Sequence, residues 1–165
     1  MTSVTLRPVT AEEYDAIRTP MLKEFAADLA RSSHVPVDDE VRRRAADFFP
    51  ETLTDALTEV GTIICRVDDE VGTDVGLLWL GRSPGNVQTG FVYDLVIDPQ
   101  YRRRGLGRAA MRAAEDLLRA EGCTRIALNV FGWNHEAASL YRALGFEPDS
   151  MQMSKPLAAD QEDPL

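Results

Sequence analysis

Cysteine is scarce in this chain: Cys65 and Cys123 stand far apart and share no C-x-x-C spacing. Two such residues build neither a metal knuckle nor a disulfide framework, and read as reduced thiols serving as small core groups in a cytoplasmic protein. No run approaches the roughly 20 apolar residues of a membrane helix, and the opening M-T-S-V-T-L-R-P-V-T lacks the apolar stretch of a signal peptide. Positive charge is in deficit. Eighteen Lys plus Arg against 27 Asp plus Glu leave a net charge of −9, which repels nucleic acid and anionic membrane overall. Internal repeats and low-complexity linkers are also missing. The 165 residues therefore read as a single domain over residues 1–157 with a frayed acidic tail at 158–165. With 44% apolar and 27% charged residues the composition is globular. A chain of this length buries about 70% of its unfolded surface, enough for a core without staples.

What is present alternates between strand and helix patterns. Val4 to Leu6 reads as a first strand. Thr10 and Glu13 form a capping box that opens a helix, with a kink or break expected at Pro20 before Met21 to Arg31 continues. A second helix is expected over Asp38 to Phe49, its first turn acidic. Thr62–Val67 and Val75–Leu80 are short β-branched strands, and S-P-G-N turns the second into an antiparallel partner, Gln88–Ile97. A helix follows from Gly105 to Arg119, then a strand Arg125–Phe131. A last helix spans Asn134 to Leu144, stopped by Gly145, and a last strand is expected at Met151–Lys155. The predicted order is β-α-α-β-β-β-α-β-α-β.

The segment Y-D-L-V-I-D-P-Q-Y-R-R-R-G-L-G-R-A-A-M carries the most chemistry. Arg102, Arg103 and Arg104 precede a helix start, where each cation is unfavourable by a few tenths to about 1 kcal/mol. A bound polyanion relieves that. Gly105 and Gly107 permit close backbone approach, and free N–H groups of the first helical turn suit a diphosphate. Gly105-x-Gly107-x-x-Ala110 also fits a relaxed dinucleotide fingerprint. Seven residues separate it from the strand end, however, and Asn129 stands where an acidic ribose ligand belongs. The nicotinamide reading is set aside.

Arg102-x-x-Gly105-x-Gly107 after a strand and D-P resembles the pyrophosphate loop of the GCN5-related N-acetyltransferase (GNAT) superfamily. A-L-N-V-F-G-W-N-H-E-A-A-S-L-Y-R-A-L-G-F resembles its second hallmark. The motifs cover about Tyr93 to Phe146. The resemblance implies an α+β fold: a mixed, mostly antiparallel twisted sheet flanked by helices, its fourth and fifth strands splayed to admit the pantetheine arm of acetyl-CoA. It further implies that backbone groups of Leu95, Val96 and Ile97 hold the pantetheine and acetyl group. Backbone N–H groups across Arg103, Arg104, Gly105, Leu106, Gly107 and Arg108 would hold the pyrophosphate, with Arg102 and its neighbours reaching outward. Asn134 would touch the pantetheine. Tyr141 would be the general acid for the departing thiolate, a role suited to a phenol of pKa near 10; its plainer reading is a core aromatic.

By the same resemblance a neutral primary amine attacks the thioester in a ternary complex, with no metal. The general base is open. Asn129 cannot serve; Asp94, the nearest carboxylate, placed by strand alternation opposite Tyr93 and Leu95, is the candidate base or amine binder, its plainer reading a strand-edge carboxylate. His34, His135 and the charges of 38–47 read as surface groups. The acceptor, a small molecule or peptide amine, is shaped in the family by the region Met21 to Phe49, and family members often dimerise through late strands. A non-catalytic acyl-CoA-binding module is the competing reading.

Overall fold

The computed structural model describes residues 2–58, 62–155 and 157. Strand β1 (Thr5–Pro8) leads into helix α1 (Ala11–Ser33), opened by the expected capping box: Glu13 N–H donates to Thr10 Oγ1 at 3.2 Å and Thr10 N–H to the Glu13 carboxylate at 2.8 Å. Arg7 bonds that carboxylate too, which with the Thr10 N–H holds Glu13 down at about 2. Of the kink or break expected at Pro20, the break does not occur: helix α1 runs continuously through that residue. Pro20 lies on the exposed side, where water can meet the carbonyl it frees, while Tyr14, Met21, Ala26 and Ala30 keep both halves packed.

Helix α2 (Asp39–Ala46), capped by Asp38, ends three residues before the expected Phe49. The reading also missed α3 (Leu53–Thr58), a single Thr-rich turn begun by Thr52, whose hydroxyl accepts from Asp55 N–H at 3.1 Å. Four strands complete the sheet: β2 (Thr62–Asp68), β3 (Asp74–Ser83), β4 (Asn86–Ile97) and β5 (Arg125–Leu128). Their order is β1-β2-β3-β4-β5, antiparallel except for the parallel β4–β5 pair. Between them run α4 (Leu106–Ala120) and, after β5, α5 (His135–Ala143).

The period of two along β3 sorts the core into layers. Leu78 and Leu80 join Val67, Val92 and the α4 residues Ala110, Met111 and Leu118, whereas Leu77 and Trp79 join Tyr14, Met21 and Phe49 from the α1 side. Both faces are covered, so β3 reads as a continuous apolar run. Cys65 and Cys123 are buried, as expected of small core groups. Among the described residues no helix is long and apolar enough to cross a membrane. Met151–Lys155 is not a strand: Met151 and Met153 are 73% and 84% exposed, so their alternation has no face to cover. The tail at 158–165 lies outside the described residues.

Candidate active site

The site begins with an irregularity in β4. Trp79 pairs with Asp94 but Leu80 pairs with Val92, which leaves Tyr93 as an extra residue, a β-bulge. A bulge bends its strand and sharpens the local twist. Pairing of β4 with β5 runs from Thr89–Arg125 to Val92–Leu128 and stops where the bulge begins. This is why β5 ends at Leu128 instead of Phe131. Among the described residues, β4 has no strand neighbour on that side from Tyr93 to Ile97.

The register says which groups face the gap. Asp98 N–H donates to Val75 O at 2.9 Å, so alternate residues direct Val96 toward β3 and Leu95 and Ile97 toward the gap. A Cβ built on Gly76 would stand 2.1 Å from Val96 O, so only glycine permits this strand approach. The expectation that Val96 backbone serves a ligand is therefore corrected: its carbonyl belongs to β3. Ile97 O accepts from Arg102 Nε at 2.8 Å, so Arg102 folds back onto the strand instead of reaching outward.

The other arginines also have protein partners. Arg103 meets Glu136 at 3.3 Å, Arg104 lies 5.8 Å over the Tyr101 ring, and Arg108 reaches Ala143 O at 3.5 Å. The stronger anion signal is in the main chain. Arg103 and Gly105 adopt left-handed φ of 62° and 81°, and α4 starts at once. Among the described residues, none of the N–H groups from Arg103 to Arg108 donates to a protein acceptor; the first bond of the helix is Ala109 to Gly105. Alternating left- and right-handed residues gather such donors into an anion-binding concavity. Thr2 Oγ1 donates to Arg104 O at 3.3 Å, which fixes the peptide before Gly105. Gly107 packs inward, where a Cβ would lie 3.3 Å from Leu140 of α5. Beside the loop a cleft of about 350 Å³ is lined by Thr2, Gly105, Arg108, Ala109 and Arg112.

Across the sheet lie two titratable groups. The bulge sends Tyr93 onto Trp79, 5.3 Å between centroids, while Leu95 packs in the α4 layer. Tyr93 and Leu95 thus lie on opposite sides, which corrects the simple alternation expected around Asp94. Burial pushes the Asp94 carboxyl up to about 6; the Leu95 N–H opposes this, and the negative charges of Glu24 and Asp28 on α1 add to it. Burial, then the charge of Asp94, pushes Tyr141 up to about 12. Its ring packs against Phe146 at 5.7 Å, and among the described residues its hydroxyl has no hydrogen-bond partner. The core-aromatic reading of Tyr141 describes its ring and leaves the hydroxyl unexplained.

Asn134 caps α5, its Oδ1 accepting from Ala137 N–H at 3.1 Å, which leaves its amide NH₂ free to donate to a ligand. It stands outside the regular helix that carries Tyr141. Asn129, His34 and His135 are exposed. Glu24 and Asp28 were missed: they are four apart on one helix face, but nothing in the chain says that this face meets Asp94. At neutral pH the site holds a carboxylate able to take a proton and, in the same field, a phenol able to give one.

A model described as the acetyltransferase (GNAT) family matches residues 22–146. The uncharacterised N-acetyltransferase YdgE of Bacillus subtilis is 25% identical over 154 residues, covering 93% of this chain and 98% of its own. Thialysine N-epsilon-acetyltransferase of Bos taurus is 28% identical over 128 residues, 76% of this chain and 74% of that protein. The crystal structure of YycN, another Bacillus subtilis acetyltransferase, superposes with a TM-score of 0.84 at 25% identity over 95% of this chain and 100% of that one.

Proposed function

Because the chain belongs to the acetyltransferase (GNAT) family and is an acyltransferase, we propose that it moves an acetyl group from acetyl-CoA directly to a primary amine that carries a second positive charge. One observation supports the donor above the others: the open β4 edge leads, through the turn at Pro99–Tyr101, to six consecutive N–H groups without a protein acceptor among the described residues. The Leu95 main chain and the Ile97 N–H, its carbonyl being taken by Arg102, are offered to a pantetheine, Arg103 to Arg108 cradle the pyrophosphate, and Arg108 and Arg112 line room for the nucleotide end.

The chemistry divides between two side chains. Asp94, ionised above about pH 6, takes the proton that the amine loses as its nitrogen bonds to the acetyl carbon. Tyr141, still protonated, supplies a proton to the thiolate as the carbon–sulfur bond breaks. Proximity and strand N–H donors supply the remaining acceleration, without a covalent enzyme intermediate.

Glu24, Asp28 and Asp94 form an anionic wall for a cationic acceptor, in keeping with a relative named for thialysine. A panel of thialysine, lysine, diamines and neutral-tailed monoamines tests this. The dicationic amines are expected to show KM values lower by about tenfold, an advantage that shrinks as salt rises toward 1 M. Equal KM values across the panel contradict the acceptor class while leaving the transfer itself intact.

A further inference from the structure

Helix α1 presents Glu24, Asp28 and Arg31 at spacings of four and three residues, one stripe of one face. The third member makes a long-range contact. The Arg31 guanidinium lies 4.1 Å above the Trp133 ring, and Trp133 is stacked on Phe131, 5.7 Å between centroids with planes 9° apart. Both aromatics belong to the loop Asn129–Trp133 that joins β5 to α5.

That loop has little else to hold it. Its main-chain bonds are local: Asn134 N–H to Phe131 O at 2.9 Å and His135 N–H to Trp133 O at 3.0 Å. Among the described residues no hydrogen bond ties Asn129–Trp133 to another element. Phe131 and Trp133 lie outside the apolar clusters of the core. Among the described residues Trp133 Nε1 is buried without a partner, so packing fixes the indole. Yet the loop leaves β5 at the rim of the gap and delivers the chain to Asn134, the cap of the helix carrying Tyr141. Its placement governs one wall of the site.

We propose that Arg31 is a positioning residue for the acceptor: by clasping Trp133 it holds the β5–α5 loop against α1 and closes the acceptor side of the site over Asp94 and Tyr141. The acceptor half of this inference rests on the acetyl-transfer reading above. The clasp itself does not.

Acrylamide quenching of tryptophan fluorescence reads the clasp without substrate, because Trp79 is 2% exposed and silent to the quencher. Arg31→Ala is expected to increase quenching, and Arg31→Lys, which keeps a cation, to restore part of the protection. With thialysine as the probe amine, Arg31→Ala should raise KM about three- to tenfold, the range a partly desolvated cation–π contact spans. Turnover at saturation and acetyl-CoA affinity should stay near those of the parent. Unchanged quenching in Arg31→Ala overturns the clasp. Greater quenching with an unchanged or lowered thialysine KM overturns its acceptor role; a lowered KM would make Arg31 a competitor for the aromatic surface. A parent chain that turns over no amine fails the acetyl-transfer reading instead, and the quenching comparison still decides the clasp.

Discussion

Asp94→Asn is expected to stabilise the fold and slow the reaction in the same variant. The folded-state pKa of Asp94 is raised to about 6 from 3.8. Below about pH 4 the carboxyl is neutral in folded and unfolded chains and exerts no penalty. Between about pH 4 and 6 the unfolded chain ionises first, so stability falls as pH rises and then levels off. At one pKa unit per 1.36 kcal/mol, the ionised carboxylate weakens the fold by up to about 3 kcal/mol. Asparagine removes that fall, and thermal denaturation at pH 7.5 should show Tm raised by roughly 5–10 °C. The same substitution removes the proton acceptor, so kcat should drop by about 10²–10⁴. The rise of kcat/KM through about pH 6 should vanish with it. A variant with parental turnover and an intact acid limb would remove Asp94 from the mechanism and reopen the identity of the base.

Tyr141→Phe should leave the fold almost untouched. Its ring keeps the packing against Phe146 and the α4 layer, and among the described residues the deleted oxygen has no protein partner to strand. Acetyl-CoA affinity should also hold, since the gap and the loop are unchanged. What should fall is kcat, by about 10²–10³ across every amine accepted, because the thiolate loses its proton donor. Parental turnover with several amines would return Tyr141 to the status of a core aromatic. A comparable fall in acetyl-CoA affinity would make its role binding rather than acid catalysis.

The parts of this protein governed by local rules were readable in the chain. Thr10 with Glu13 marked the start of α1, Pro84-Gly85 the β3–β4 hairpin, Gly105 the start of α4 and Gly145 the end of α5, both with positive φ. Readings failed where a long-range contact overruled a local preference. Pro20 should interrupt a helix, yet α1 holds because its inner face is packed along its length. Strand alternation should place Tyr93 and Leu95 on one face, and the bulge that separates them has no local signature in G-F-V-Y-D-L. For the site, the R-x-x-G-x-G loop and Tyr141 were legible as motifs. The donors left unpaired in that loop depend on the left-handed turns at Arg103 and Gly105, and the gap beside Leu95 and Ile97 depends on how β4 meets β5. Val96 and Arg102 turned out to be engaged with β3 and with Ile97 O, facts fixed by register and not by residue type. Glu24, Asp28 and Arg31 acquire meaning only once α1 lies across Asp94 and Trp133.

The most direct test is a calorimetric titration of acetyl-CoA into protein stripped of co-purified ligand, with NAD as the control and Gly105→Val as the altered cradle. Valine cannot adopt the φ of 81° at that position without strain, so the loop must rebuild and scatter its donors. Saturable micromolar binding of acetyl-CoA, absent for NAD and at least about tenfold weaker in Gly105→Val, is the predicted result. Binding should also raise the melting temperature by mass action. No binding to a folded parent chain, or binding indifferent to Gly105→Val, would contradict the claim that the open β4 edge and the Arg103–Arg108 loop form the donor site.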